Sequence, residues 1–307
     1  MTGRTAGLTA ATLVCFAANS LLCRAALRPG LADAASFTMV RMASGAVMLF
    51  ALVLFRTRDR GAPAPPSRGM AGIAQEEGRP NSLRASRKYR RLHGGSWLSA
   101  LALAVYALAF SFAYLRIDAG TGALVLFAAV QAGMFGWGIV RGDQPRTREW
   151  VGLVLALGGL VLLARPGRTA PDPTGLALMV VAGLAWAAYS LRGRHTHDPL
   201  GANADNFARG ALLTLAAMVL APERQATLGG ITLAIGSGAV ASGLGYTLWY
   251  AALRGLERTQ AAVVQLAVPA LAAAGGVLLL GEAVTLRLVA SGAVILGGIA
   301  LALTARR

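Results

Sequence analysis

The sequence predicts an all-α polytopic membrane protein of ten transmembrane helices, arranged as two inverted five-helix repeats. Three observations lead there. The 307 residues are 56% hydrophobic and only 14% charged, with a mean hydropathy of +0.58, too little charge for a surface that faces water. Read in windows of about 19 residues, the chain gives ten apolar stretches: 7–27, 31–55, 96–115, 119–140, 149–164, 174–191, 203–221, 231–253, 258–280 and 285–304. Finally, the chain resembles itself. A constant offset lays Ser99 to Val130 on Ser237 to Val268, matching Ala113 with Ala251, Leu115 with Leu253, Arg116 with Arg254, Thr121 with Thr259 and Ala123 with Ala261. One residue of slippage later Gly158-Gly159 meets Gly297-Gly298, and Gly142-Asp143 stands against Gly281-Glu282. A larger offset pairs Gly7 with Gly175 and Arg41 with Arg209. Duplication in an apolar chain marks a transporter fold, because two repeats that face each other leave a site between them.

The first stretch lacks a small-residue cleavage site before the next, so it reads as an uncleaved first helix and not a signal peptide. Cys15 and Cys23 lie on it about 12 Å apart by helical rise, too far to bridge. The second stretch carries Arg41. Residues 56–95 then run rich in Pro, Gly, Ser and Arg without periodicity, and read as a disordered basic cytoplasmic loop. They account for the larger offset between the early parts of the repeats. The first repeat is thus 1–55 with 96–164, and the second is 174–304. The 149–164 stretch is short and needs flanking residues or local thinning of the bilayer to span. Glycine, 38 residues in all, is spread through these stretches, where small side chains let helices approach in lipid.

A net charge of +16 suggests nucleic acid in a soluble protein; here it has a topological explanation. With the N-terminus in the cytoplasm, most Lys and Arg fall in cytoplasmic connections, among them Arg141, Arg146, Arg148, Arg192 and Arg254. Arg24, Arg28, Arg116, Arg165, Arg168, Arg224 and Arg287 fall on the other side. The excess persists with the long loop discounted, which places both termini in the cytoplasm. Five crossings per repeat, an odd number, make the second repeat enter from the opposite side, so the copies are inverted.

The closing part, Tyr246 to Arg254, Ala261 to Pro269, Leu280-Gly281-Glu282 and then Gly292 to Gly298, resembles the second repeat of the EamA family of the drug/metabolite transporter superfamily. Phe37 to Arg41, and a break at Asn19-Ser20 in the first helix, are similar to that family's first repeat. The resemblance covers the chain apart from 56–95. It implies ten helices, a central cavity lined by both halves, the fifth and tenth helices at the periphery, and transport of small metabolites. The first half departs from the pattern: Gln131 stands where Pro269 stands in the second, and Gly142-Asp143 replaces Gly-Glu.

Arg41 lies ten residues into its span, about 15 Å deep by helical rise. An arginine there costs roughly 2.5–3.5 kcal/mol on insertion scales, so it either meets an anionic substrate group in a solvated cavity or bonds helix-end carbonyls. Arg209 lies nearer its span's end and is expected to snorkel. Glu282 either couples transport to protons or caps the tenth helix; Asp33 and Asp118, at span starts, are expected to cap. Pro269 removes a donor in mid-helix and is expected to act as a hinge. Gln131 and Gln265 near mid-span bond across helices or meet substrate. Asn19, Trp186, Tyr189, Tyr246 and Trp249 complete the cavity candidates. Tyr246, Trp249 and Tyr250 share one helical face that either lines a pocket or forms an interfacial belt. His195 and His197 lack a third ligand and read as loop histidines. Gly236-Ser237-Gly238 reads as a helix-packing motif.

No catalytic residue, metal or other cofactor is expected. The expected partners are a small-molecule substrate and the lipid bilayer, with no nucleic acid, in a monomer or homodimer of a bacterial inner membrane. The leading function is secondary transport, chiefly export, of amino acids or related metabolites by alternating access, with a proton as the coupling ion that Glu282 would allow. An intramembrane enzyme acting on lipid or prenyl substrates needs clustered carboxylates, histidines or a nucleophile within the spans, which the sequence lacks. A non-transporting scaffold leaves Arg41, Gln131 and Gln265 unexplained at depth.

Overall fold

A computed structural model of the chain describes residues 2–59, 94–142, 144–167, 170–193, 196, 198–221, 224–256 and 264–304. Most of the 56–95 loop lies outside them, as do Asp143, His195, His197, Thr259 and Ala261, and so does the Tyr250 side chain. The helices are α1 (Gly3–Leu27), α2 (Ala34–Asp59), α3 (Trp97–Tyr114), α4 (Ala119–Val140), α5 (Thr147–Ala164), α6 (Pro173–Gly193) and α7 (Pro199–Leu220). A continuous α8 follows, made of Leu228–Ile235, a π-helical Gly236–Leu244 and Gly245–Leu253, then α9 (Ala267–Leu280) and α10 (Leu286–Thr304).

Local signals start these helices where the chain leaves a connection. Ser96 and Thr227 accept the amides of Ser99 and Gly230 on their hydroxyls, and Asp172 accepts the amide of Gly175. Pro173 and Pro199 occupy first helical positions, where a missing N–H costs nothing. Among the described residues, seven helices are long and apolar enough to cross a membrane; α9 and the Leu286–Ala302 part of α10 are apolar but shorter. The seven do not include α7, whose early turns carry Asn203, Asp205, Asn206 and Arg209. Large apolar side chains such as Val47, Leu54, Val161, Leu212 and Leu278 are exposed, an exterior suited to lipid.

The connections α1–α2, α3–α4, α5–α6, α7–α8 and α9–α10 gather at one end, tied by Arg28 to Leu280 O, Arg116 to Asp172, Arg287 to Arg165 O, and the bonds of the next paragraph. At the opposite end Arg56 pairs with Asp198 at 2.8 Å, and Arg192 Nε donates to Ser99 Oγ. Packing repeats under a shift of five helices: α3–α6 answers α1–α8, α4–α6 answers α1–α9, and α2–α8 answers α3–α7. The pairs α2–α7, α4–α9 and α5–α10 map onto themselves.

At the first end the α1–α2 and α7–α8 connections pair through an isolated antiparallel bridge, Ala32 to Ala226. Asp33 anchors it. One carboxylate oxygen accepts the amides of Ala35 and Ser36, capping α2 as expected, and the other accepts Gln225 N–H at 3.0 Å. Burial alone would raise this carboxyl, but hydrogen bonds from Ser36, Gln225 and Ala35 outweigh it and hold it below the usual carboxylate range. A depressed folded-state pKa means stability that is present above the ordinary value of about 3.9 and is lost as pH falls through the folded value. Asp33→Ala is therefore expected to cost about 1–2 kcal/mol at neutral pH. Thermal unfolding in detergent should show the gap to wild type narrowing below about pH 4; a gap independent of pH would exclude this role for the carboxylate.

Candidate functional site

Two polar clusters lie inside the helix bundle. The first sits where α1, α2, α3, α6, α7 and α8 meet. Arg41 of α2, 1% exposed, donates from Nη2 to the Tyr106 hydroxyl at 3.1 Å. Its Cζ lies 5.4 Å from the Tyr106 ring centroid and 5.0 Å from that of Phe110. Asn19 of α1 donates to the same hydroxyl at 3.4 Å and accepts the Ser237 hydroxyl at 2.6 Å. Aromatic rings continue outward: Trp186 packs on Tyr106, Tyr189 and Tyr246, with centroids 4.9, 5.6 and 5.2 Å away. Tyr246 also meets Phe16 and Phe207, and Phe16 meets Trp249. The Tyr189 hydroxyl bonds Asn203 Oδ1.

Tight backbone approach brings Arg41 here. Gly238, in the π-helical part of α8, lies so close to α2 that a Cβ would fall within the atomic envelope of Arg41 O and Ser44 Oγ. π-helical turns inside α-helices often mark functional sites, since the extra residue re-aims side chains.

The second cluster lies at the connection-rich end. Arg24 of α1 donates from Nε to Glu282 Oε1 at 3.1 Å, from Nη1 to Tyr114 O at 2.7 Å and from Nη2 to Asp118 Oδ1 at 3.0 Å. The Arg24 and Glu282 side chains are 8% and 4% exposed, whereas Asp118 is 48% exposed. Asp118 reaches solvent through a cavity of ≈ 270 Å³ lined also by Arg116, Thr121, Asp172 and Thr285. Gly281, with φ 63°, ends α9 in the left-handed conformation that glycine adopts without penalty. That turn directs Glu282 inward.

The profile of the EamA-like transporter family matches residues 173–304. Protein PA1977 of Pseudomonas aeruginosa is 47% identical over 305 residues, 99% of this chain and 96% of that protein. The chain belongs to the EamA-like transporter family. The threonine/homoserine exporter RhtA of Escherichia coli (strain K12) is 32% identical over 178 residues, 54% of this chain and 58% of RhtA. Transporter YwfM of Bacillus subtilis (strain 168) is 28% identical over 206 residues, 63% of this chain and 69% of YwfM. A crystal structure whose chain is 19% identical shares the fold, with a TM-score of 0.59 over 97% of this chain and 99% of that one. The protein is a multi-pass membrane transporter of the drug/metabolite transporter superfamily.

In this EamA-like transporter the expected site residues separate. Asn19, Arg41, Trp186, Tyr189, Tyr246 and Trp249 meet in the first cluster or through Phe16 beside it. Arg41 meets neither helix-end carbonyls nor a carboxylate among the described residues; aromatic faces surround it. Gln131 is half-buried on α4 and makes none of the cluster's hydrogen bonds or ring contacts. Gln265 lies in the turn between helical Val264 and α9, and its carbonyl accepts Val268 N–H at 3.0 Å.

Several expectations are corrected. Asn19-Ser20 does not break α1, which runs unbroken from Gly3 to Leu27, because the Asn19 amide is spent across helices and not on its own backbone. Pro269 is the third residue of α9; Val264 is helical, Gln265 and Leu266 form a turn, and the Gln265 carbonyl, four residues before the proline, accepts Val268 N–H. Glu282 caps a helix, but that helix is α4: its Oε2 accepts Ala119 N–H at 2.9 Å. Asp118 makes no side-chain cap bond and pairs with Arg24 instead. Arg209 pairs with Asp205 at 3.0 Å and lies over the Trp97 ring.

Sequence reasoning missed Arg24 and Tyr106. Arg24 had been counted among the loop charges on its side of the membrane. A signal existed in the sequence: an arginine inside the first apolar stretch, with Asp118 and Glu282 assigned to the same side of the membrane. Tyr106 carried no comparable mark.

Proposed function

We propose that the protein is a secondary transporter that exports small organic metabolites, amino acids or related compounds, across a bacterial inner membrane. It works by alternating access, with the ten helices crossing as two inverted five-helix repeats around the Arg41 cluster. The observation that carries this reading is the buried, charged and aromatic cluster contributed by helices of both repeats, at the centre of packing that repeats under a five-helix shift. The gathering of the odd–even connections at one end supports ten alternating crossings. The charge asymmetry of the loops supports cytoplasmic termini, which makes the Arg24 end the outer one. The likeness to RhtA supports amino-acid-like cargo and the outward direction.

Proteoliposomes loaded with labelled amino acids and related metabolites test it. At least one solute should leave faster than from protein-free vesicles, and reporter fusions at residue 75 should report cytoplasm. If no solute moves, transport of this class is excluded; a reporter at residue 75 outside the cytoplasm overturns the orientation.

A further inference from the structure

Hydrogen-bond donors outnumber acceptors around Arg41. The Tyr106 hydroxyl receives N–H from both Arg41 Nη2 and Asn19 Nδ2. Its two lone pairs are thereby used, and its own proton is left to donate. No acceptor for that proton stands among the described residues. Arg41 Nε and Nη1 are buried without a hydrogen-bond partner. Asn19 Oδ1 is engaged by Ser237, and the ion pairs among the described residues leave Arg41 out. Stacking on Tyr106 and Phe110 stabilises a guanidinium, but it replaces neither a hydrogen-bond acceptor nor a counter-charge.

Unspent donors that carry one net positive charge fit an acceptor-only group with one negative charge. A planar carboxylate matches a guanidinium in shape as well as charge. A doubly charged phosphate would leave negative charge uncompensated beside Arg41. The walls beyond, Phe110, Trp186 and Tyr246, present aromatic faces that suit an apolar body and offer a second anion no cation. An ammonium without a carboxylate would meet Arg41's repulsion and find no anion.

We propose that Arg41 and Tyr106 bind the carboxylate of the transported solute, and that the substrates are small monocarboxylates with an apolar or aromatic body. Amino acids qualify through their carboxylate; amines that lack one are rejected. The inference rests on the Arg41 cluster being the transport site proposed above.

The test uses three solutes on one scaffold, 3-phenylpropionate, phenylalanine and phenethylamine. Binding to detergent-solubilised full-length protein is read by thermal stabilisation and by tryptophan fluorescence. The two carboxylates should bind and phenethylamine should not. Arg41→Gln should weaken carboxylate binding about 10- to 100-fold, the worth of a charge-assisted hydrogen bond. Tyr106→Phe keeps the ring and should weaken it less, about 2- to 10-fold. Phenethylamine binding as well as phenylpropionate, none of the three binding, or unchanged carboxylate affinity in both variants would each overturn the proposal. Because binding is measured without a membrane, the two readings fail separately. Solutes that move in proteoliposomes without a carboxylate preference sink only this proposal, and carboxylate binding lost in Arg41→Gln without any transport sinks only the transporter cycle.

Discussion

Glu282→Ala is expected to destabilise the folded protein by about 3–5 kcal/mol, the usual cost of removing one partner from a buried ion pair. The variant leaves Arg24 Nε buried without its acceptor and strips Ala119 N–H of its cap. Arg24→Ala should be at least as damaging, because three partners on α3, the α3–α4 connection and the α9–α10 connection lose their common donor. Asp118→Ala should cost only about 0–1 kcal/mol, since a half-exposed pair is screened by solvent. Thermal unfolding in detergent ranks the three. Replacing Arg24 and Glu282 together by Met and Leu should recover much of the loss, as apolar pairs of similar volume often equal or exceed the ion pair they replace. If Asp118→Ala proved as harmful as Glu282→Ala, burial would not be what sets the strength of this cluster. In the transport cycle proposed above, opening the outer end requires separating Arg24 from Glu282. The same variants should therefore raise the reactivity of a cysteine placed at Thr38, which is inaccessible here.

The helices were legible because lipid imposes a strong rule: every span must satisfy its own backbone and show apolar side chains outward. The likeness between the two halves of the sequence was visible because offset matching needs no contacts. What escaped were interactions between distant residues. Arg24 and Glu282 are 258 positions apart, and an arginine near a helix end has a good local explanation, snorkelling to water, that hides the pairing. Glu282 was read against its nearest helix in sequence, α10, while Gly281 turns it towards α4. The turn at Gln265 and Leu266, just before α9 and Pro269, lies inside what reads as one apolar stretch, because hydropathy does not report a local break in backbone geometry. The aromatic face on α8 was legible as a face, yet its depth was not. Trp186 and Tyr106, which show Tyr246 to be interior and not part of an interfacial belt, come from other helices. The π-helical turn was read as small-residue packing, correctly, but a 3.6-residue period cannot reveal π geometry.

Gly238→Ala should then expose how closely α8 must approach α2 for Arg41 to stand where it does. The added Cβ would overlap Arg41 O, a backbone atom that no change of rotamer can move, so the helices must part. Overpacking of this kind costs about 1–3 kcal/mol, and the displacement is delivered at Arg41 itself. Gly236, two residues earlier on the same helix, supplies the control. A Cβ there meets only Leu22 Cδ1 at 3.7 Å, an ordinary contact, so Gly236→Ala should be neutral or stabilising by up to about 1 kcal/mol through helix propensity. Thermal unfolding should separate the two variants in sign. Carboxylate binding should fall in Gly238→Ala and stay unchanged in Gly236→Ala, because only the first moves the guanidinium relative to Tyr106. Equal behaviour of the two glycines would mean that the α2–α8 approach does not hold Arg41 in place, and the cluster's geometry would then have to be set by Tyr106 and Asn19 alone.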